Sequence, residues 1–149
     1  LINELSSTVA VLACDGETGA LHELQTVTSL PQGFYGDNSG ADIHVHPSGL
    51  FIYASNRGHD SIAVYRVDPA RGRLTVAGHV LTGGRTPRSF CLDPGGRFLL
   101  VANQDSDCVV TFLIDATTGM PEQTGHVARV PTPVCVKTCA PTANSNGGT

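Results

Sequence analysis

Three asparagines, each followed by a polar residue able to take part in chemistry, recur at related points of the chain. The pairs are Asn3-Glu4, Asn56-Arg57 and Asn103-Gln104. A carboxylate, a guanidinium and an amide that face one cavity form a polar binding site, in which Arg57 would clamp an anionic group through bidentate hydrogen bonds. Glu4, if it is buried, would serve as a general acid or base.

The same residues also have a plainer structural explanation. An Asn side chain closes the turn after a strand, and its neighbour is then merely solvated; this explanation is favoured for the asparagines. His59 lies two positions after Arg57 and is a candidate second contact to substrate. The candidate site therefore has Glu4 and Arg57 as catalytic residues, with His59, Asn56, Asn3 and Gln104 as substrate-binding residues.

A repeat predicts the elements that must position these residues. Residues 42–80 and 89–127 align without a gap at an offset of 47 positions and share ten identities in 39 positions. Many of the shared residues are the Gly, Pro and Asp of turns. Repeats of roughly 40 to 50 residues are typical of β-propellers or helical arrays.

The content of each copy favours the propeller. Each copy has four short apolar runs, rich in β-branched and aromatic residues, and none is long enough for a stable helix. Four strands make one propeller blade. The N-terminal residues follow the same register at an offset of 53, with a turn-rich insertion in 31–40. The predicted strands of the first two units are 8–14, 21–27, 43–45, 51–55, 62–67 and 74–80.

The predicted architecture is therefore all-β, a partial propeller of about three four-stranded antiparallel blades within residues 1–139. We expect the chain to begin at the second strand of a blade, and exposed sheet edges to favour self-association. The predicted segments are an incomplete blade at 1–30, blades at 42–80 and 89–127, a lone inner strand at 134–138 and a disordered tail at 140–149.

Composition limits the partners and the location. The net charge of −4 argues against nucleic acid, which requires a basic surface, and no apolar run reaches the length of a membrane span. The five cysteines are odd in number and lack a disulfide-scaffold pattern, so we expect reduced thiols and a cytoplasmic location. The sequence lacks a second cysteine pair at zinc spacing, so we expect no metal site at Cys135 and Cys139, and it contains neither a P-loop nor a G-x-G-x-x-G motif.

Two motifs carry a family resemblance. The stretches NELSSTV at Asn3–Val9 and SNRGHDSI at Ser55–Ile62, with the HPSG and DPGG turns, resemble the lactonase family. That family consists of seven-bladed propellers and includes 6-phosphogluconolactonase-type proteins and a fungal carboxymuconate lactonizing enzyme. The resemblance spans nearly the whole chain and implies that it corresponds to the C-terminal blades of the family fold.

The resemblance also implies an activity. It implies hydrolysis of a small acidic sugar lactone, a step of carbohydrate metabolism, or alternatively the cyclase reaction of the fungal enzyme, in either case without a metal or organic cofactor. The proposed site of that enzyme combines a His, two Arg and a Glu; Glu4 and Arg57 match the Glu and one Arg, and the others are expected to precede Leu1. A non-catalytic scaffold remains an alternative, because a fold does not fix a function.

Overall fold

The computed structural model describes residues 1–139, which form three antiparallel β-sheets. The all-β fold with four-stranded antiparallel blades is confirmed. The strands of each sheet follow one another in chain order, as in a propeller blade. The first sheet contains β1 (Ile2–Asn3), β2 (Thr8–Cys14) and β3 (Leu21–Thr28); the second contains β4 (Ser39–Val45), β5 (Phe51–Arg57), β6 (Ser61–Asp68) and β7 (Arg73–Leu81); the third contains β8 (Pro87–Leu92), β9 (Phe98–Asn103), β10 (Cys108–Ile114) and β11 (Pro121–Arg129).

The start of strand β4 and the segment 134–138 differ from the sequence-based expectation. Strand β4 begins at Ser39 instead of residue 43, because Ser39 and Gly40 pair with the end of β5. The lone inner strand expected at 134–138 is wrong: these residues form no strand. They lie beside β8 through side-chain contacts, such as the bond from the Thr138 hydroxyl to Leu92 O at 2.8 Å, instead of a backbone ladder. The tail expected at 140–149 lies outside the described residues.

The recurring Asp and Gly residues shape the turn between the third and fourth strands of each unit. Asp68 Oδ1 accepts hydrogen bonds from the amides of Ala70 and Arg71, and Gly72 follows with φ +62°. Asp115 is the equivalent residue of the next unit, and the amide and hydroxyl of Thr118 hold the pKa of that carboxyl below its usual range. The repeat therefore preserves the residues that a tight turn requires.

The core consists of two layers, one on either face of the second sheet. Side chains alternate along its strands, so Tyr53 points into one layer and Ala54 into the other. The layer against the third sheet is the larger and is built on Phe51, Tyr53, Ile62, Val64, Phe90, Leu99, Val101, Val110 and Phe112. The layer against the first sheet contains Val9, Ala54, Ala63, Tyr65 and Leu74.

Two buried tyrosines connect the second sheet to its neighbours. The Tyr53 hydroxyl donates to Gly119 O in the third sheet at 2.8 Å, and the Tyr65 hydroxyl donates to Thr28 O in the first at 2.9 Å. Burial raises the pKa of both tyrosines, so both hydroxyls stay protonated donors at neutral pH. Each sheet is therefore held to the next by apolar packing and a directional hydrogen bond.

Within residues 1–139, no helix is long and apolar enough to cross a membrane. No group of three or more metal-ligating side chains lies together in that portion of the chain.

Candidate functional site

Glu4 and Arg57 meet where the first and second sheets adjoin. Arg57 Nη2 donates to Glu4 Oε1 at 2.6 Å and to the backbone oxygen of Gly40 at 3.1 Å. Arg57 is the last residue of β5, and Glu4 directly follows β1, so each lies at the end of the second strand of its unit. The Arg57 side chain is 15% exposed, whereas that of Glu4 is 63% exposed. Glu4 is therefore not buried, although the sequence analysis expected burial of a Glu4 that acts as a general acid or base.

Arg57 keeps some of its donor capacity. A guanidinium carries five N–H groups, and the contacts with Glu4 and Gly40 use only Nη2. Arg57 Nε is buried and has no hydrogen-bond partner among the residues that the structure describes. Because Nε is out of reach of solvent, the donors left for a ligand are those of Nη1, which makes no hydrogen bond to a described residue, while Nη2 holds Glu4.

A cavity of about 460 Å³ opens beside this pair. A volume in this range suits a small-molecule ligand. The side chains that line this cavity include three cations and two carboxylates. Those side chains are Glu4, Asp42, Arg57, Arg88 and Lys137.

Gln104, the third member of the repeated set, does not line this cavity. In the second sheet Arg57 continues the strand, and Gly58 then turns with φ +121°, where a side chain would overlap the backbone oxygen of Asp37. In the third sheet the strand ends at Asn103, and Gln104 begins a short 3₁₀ helix, Gln104–Ser106. The different turn directs Gln104 away from the position that Arg57 occupies.

The repeated asparagines bind backbone and neighbouring polar groups. Asn56 is fully buried, and its amide donates to Ser29 O at 2.6 Å; Asn103 donates in the same way to Thr82 O at 3.1 Å. Asn3 donates to the Thr8 hydroxyl at 3.0 Å across the turn after β1. The Asn3 bond and a second bond from Asn56 Nδ2 to the Ser61 hydroxyl at 3.3 Å cross the turn after their own strands, whereas the bonds to Ser29 O and Thr82 O reach other parts of the chain. Neither Asn3 nor Asn56 lines the cavity.

His59 packs outside the cavity, against the loop at 31–38. Its ring lies edge-on to Phe34 at 4.9 Å, and Nδ1 contacts the Ser61 hydroxyl at 2.7 Å. The backbone N–H of His59 donates to Asn38 Oδ1 at 3.1 Å. His79 lies 6.2 Å from the His59 ring, and burial lowers its pKa, which keeps it a neutral donor to Ser29 O. The structure therefore brings together only Glu4 and Arg57 of the six candidates.

Sequence reasoning missed Arg88, Asp42 and Lys137. A signal was available for Arg88 and Asp42, because the inner strands of a propeller line its channel. The 47-residue offset relates Ala41 to Arg88 and Asp42 to Ser89. All four of these residues line the cavity. The same signal also pointed to Lys137, because it lies in the segment 134–138 that was expected as a further inner strand.

Asp42 joins the inner strands of two sheets. Its Oδ2 accepts hydrogen bonds from the Ser89 hydroxyl at 3.1 Å and the Phe90 amide at 3.2 Å. Its Oδ1 lies 3.2 Å from His44 Nε2, although that nitrogen makes no hydrogen bond of good geometry to any described residue. Burial raises the pKa of Asp42, but the His44 contact and the bonds from Phe90 and Ser89 outweigh it and lower the pKa to about 2. Asp42 is therefore an ionised structural residue in the cavity wall.

Comparison with known proteins identifies the family. The family described as Lactonase, 7-bladed beta-propeller, matches residues 1–138. This chain belongs to the Lactonase family. The resemblance expected from the two sequence motifs is thus confirmed.

The proteins to which this member of the Lactonase family is similar include a named enzyme. It is 39% identical over 137 residues to the 6-phosphogluconolactonase of Bacillus subtilis, a match that covers 92% of this chain and 39% of that protein. An uncharacterized protein of Lactococcus lactis is 44% identical over 90 residues, covering 60% of this chain and 26% of the relative. The chain thus spans well under half the length of the relatives it matches.

Solved structures agree with the Lactonase assignment. The Pseudomonas aeruginosa periplasmic gluconolactonase superposes with a TM-score of 0.82 at 38% identity, covering 87% of this chain and 36% of that one. A Lactobacillus plantarum protein superposes with a TM-score of 0.85 at 36% identity, covering 90% and 39%. The expectation that the chain corresponds to the C-terminal blades is not supported by these matches. With a periplasmic protein among the neighbours, the cytoplasmic location stays a prediction, as does self-association.

Proposed function

We propose that this Lactonase chain carries a portion of the active site of a lactone hydrolase of the 6-phosphogluconolactonase type. The observation that carries the proposal is the contact of Glu4 with Arg57 at 2.6 Å, on the wall of a cavity rich in cations. The activity named for the B. subtilis relative supports the choice of substrate class.

In the proposed reaction, water attacks the carbonyl carbon of the lactone. The Glu4 carboxylate accepts a proton from this water; it does so without the burial expected from the sequence, because Arg57 orients the carboxylate and its exposure places it in reach of solvent. The carbonyl oxygen becomes an oxyanion, which the spare N–H groups of Arg57 stabilise. The bond from the carbonyl carbon to the ring oxygen then breaks, and Glu4 returns the proton to that oxygen. One lactone and one water yield one hydroxy acid.

Arg57 has two tasks in this scheme. Its Nη2 fixes the Glu4 carboxylate and is itself fixed by Gly40 O, so the pair is oriented before substrate binds. Pre-orientation of charged groups removes the cost of rearranging them during the reaction. Arg57 thus acts on the reacting carbonyl, in place of the role as anion clamp expected from the sequence.

The test is hydrolysis of 6-phosphogluconolactone by the purified chain, with the spontaneous rate subtracted. We expect catalysis in excess of that rate, and a loss of about 100-fold in Arg57→Ala, the scale of losing one oxyanion donor. Arg73→Ala is the matched control, because Arg73 is exposed at the start of β7 and does not line the cavity. A chain without excess rate, or an Arg57→Ala variant as active as the control, would contradict the proposal.

A further inference from the structure

The cavity beside Glu4 and Arg57 holds more positive charge than its carboxylates neutralise. Glu4 is paired with Arg57, and Asp42 is occupied by hydrogen bonds within the fold. No carboxylate of the described residues lies within 4.0 Å of Arg88 or Lys137. Both side chains are exposed to the cavity. Two cations without an ion-pair partner among the described residues therefore remain on its wall, and the five charged side chains leave it with one net positive charge.

The backbone under each of these cations is held in place. Arg88 lies on β8, where the following Ser89 and Phe90 are buried. Lys137 lies between two tethered residues: the Val136 amide donates to the Ser89 hydroxyl at 3.4 Å, and the Thr138 hydroxyl donates to Leu92 O at 2.8 Å. The backbone that carries each cation is thus held on or beside β8, and both residues line the same cavity.

We infer that Arg88 and Lys137 form an anion subsite that binds the phosphate, or an equivalent carboxylate, of the substrate at a distance from the reacting carbonyl. This inference rests on the proposed function for the position of the reaction. The planar guanidinium of Arg88 matches a phosphate by two parallel hydrogen bonds, and the Lys137 ammonium adds a point charge. Arg57 is not counted in this subsite, because its Nη2 is held by Glu4 and Gly40 and the proposed function assigns its remaining donors to the reacting carbonyl.

The subsite assigns separate roles to the cations of the cavity. Arg57 and Glu4 act on the lactone ring, and Arg88 and Lys137 select the charged substituent. Interactions made equally with the bound substrate and the transition state change KM and leave kcat unchanged. Loss of Arg88 or Lys137 should therefore raise KM for a phosphorylated lactone and spare kcat, whereas loss of Glu4 lowers kcat.

The first experiment measures binding and does not depend on catalysis. Inorganic phosphate and 6-phosphogluconate are titrated by calorimetry into the chain and into Arg88→Gln, Lys137→Gln and the double variant. We expect each single change to weaken binding about tenfold, the scale of one charge-assisted contact, and the double change to weaken it further. Arg73→Gln, the same change outside the cavity, should bind as the wild type does. An absence of binding by the wild type, or equal binding by the double variant, would overturn the inference.

The second experiment separates this inference from the proposed function. Hydrolysis of 6-phosphogluconolactone and of the uncharged gluconolactone is compared in the same variants. We expect Arg88→Gln to lower kcat/KM for the phosphorylated lactone about tenfold and to leave the uncharged one unchanged. If neither lactone is hydrolysed while phosphate binding depends on Arg88, the proposed function fails and the subsite stands. If hydrolysis occurs and the preference between the two lactones is unchanged, the subsite fails and the function stands.

Discussion

Glu4 and Arg57 lie 53 positions apart in the chain and contact each other at 2.6 Å across two sheets. The same offset relates the N-terminal unit to the next one, so the two residues are equivalent members of neighbouring units. Repetition thus places side chains of different chemistry side by side. A carboxylate and a guanidinium then act as one unit on the wall of a shared cavity.

The first prediction concerns this pair. Glu4→Gln keeps the shape of the side chain and removes the proton acceptor, so we expect the rate of lactone hydrolysis to fall about 100-fold. Residues that act as a unit show strongly non-additive losses. The double variant Glu4→Gln with Arg57→Ala should therefore be little slower than the slower single variant, as measured by kcat above the spontaneous rate.

The matched control for that prediction is Glu122→Gln, because Glu122 is exposed on β11 and lies outside the cavity. Its rate should equal that of the wild type within about twofold, as for a surface change away from the site. Losses that simply multiply in the double variant would show that Glu4 and Arg57 do not act together.

The sequence alone could predict that Glu4 and Arg57 face one cavity, and most strand positions, since both follow from the register of the repeat; the same register wrongly included Gln104. It could not exclude His59, because two positions of separation suggest proximity to Arg57. The positive φ of Gly58 instead turns the chain toward the loop at 31–38. The place of Lys137 was predictable in part, since 134–138 was expected as an inner strand; what the repeat did not show is that side-chain contacts with β8, such as that of Thr138, hold this segment in place of a backbone ladder.

A second prediction tests how the second sheet is joined to the third. Tyr53→Phe removes the donor to Gly119 O, a buried oxygen, and leaves the ring. An acceptor left unsatisfied costs about 1–3 kcal/mol, so we expect the free energy of unfolding to fall by about that amount in urea denaturation. Tyr35→Phe is the control, because Tyr35 is 96% exposed. Equal stability of the two variants would mean that the Tyr53 hydroxyl adds nothing to the joint between the sheets.

A third prediction uses three glycines that differ in one property at a time. Gly119 has φ +76°, and a methyl group there would overlap the ring of Phe51. Gly125 has φ +82° with open space around it, and Gly16 has open space without a positive φ. We expect Gly119→Ala to cost about 2–4 kcal/mol, from backbone strain and overpacking together, and Gly125→Ala about 1–2 kcal/mol from strain alone.

Gly16→Ala serves as the reference for the series and should change stability by less than about 0.5 kcal/mol. The measurement is the midpoint of urea denaturation for all three variants, converted with a common slope. If Gly119→Ala cost no more than Gly125→Ala, the ring of Phe51 would have room to move, and the close packing between the second and third sheets would not be a constraint.

The last prediction concerns pH and the joint that Asp42 makes between the inner strands. Its pKa in the folded protein is about 2, below the value near 4 of an unfolded chain. A lowered pKa stabilises the fold above the unfolded value, and this stabilisation is lost as pH falls from about 4 to about 2. For a side chain that is 25% exposed, the contribution at pH 7 is about 2 kcal/mol.

Asp42→Asn should therefore lower the free energy of unfolding by about 2 kcal/mol at pH 7, and the difference from the wild type should shrink to a few tenths at pH 2. The measurement is urea denaturation of both proteins across this range. Asp37→Asn is the matched control, because Asp37 is exposed in the loop at 31–38 and the same change there should alter the free energy of unfolding at pH 7 by less than about 0.5 kcal/mol. A gap between Asp42→Asn and the wild type that is as wide at pH 2 as at pH 7 would show that the amide disturbs packing, and that the charge of Asp42 does not stabilise the joint.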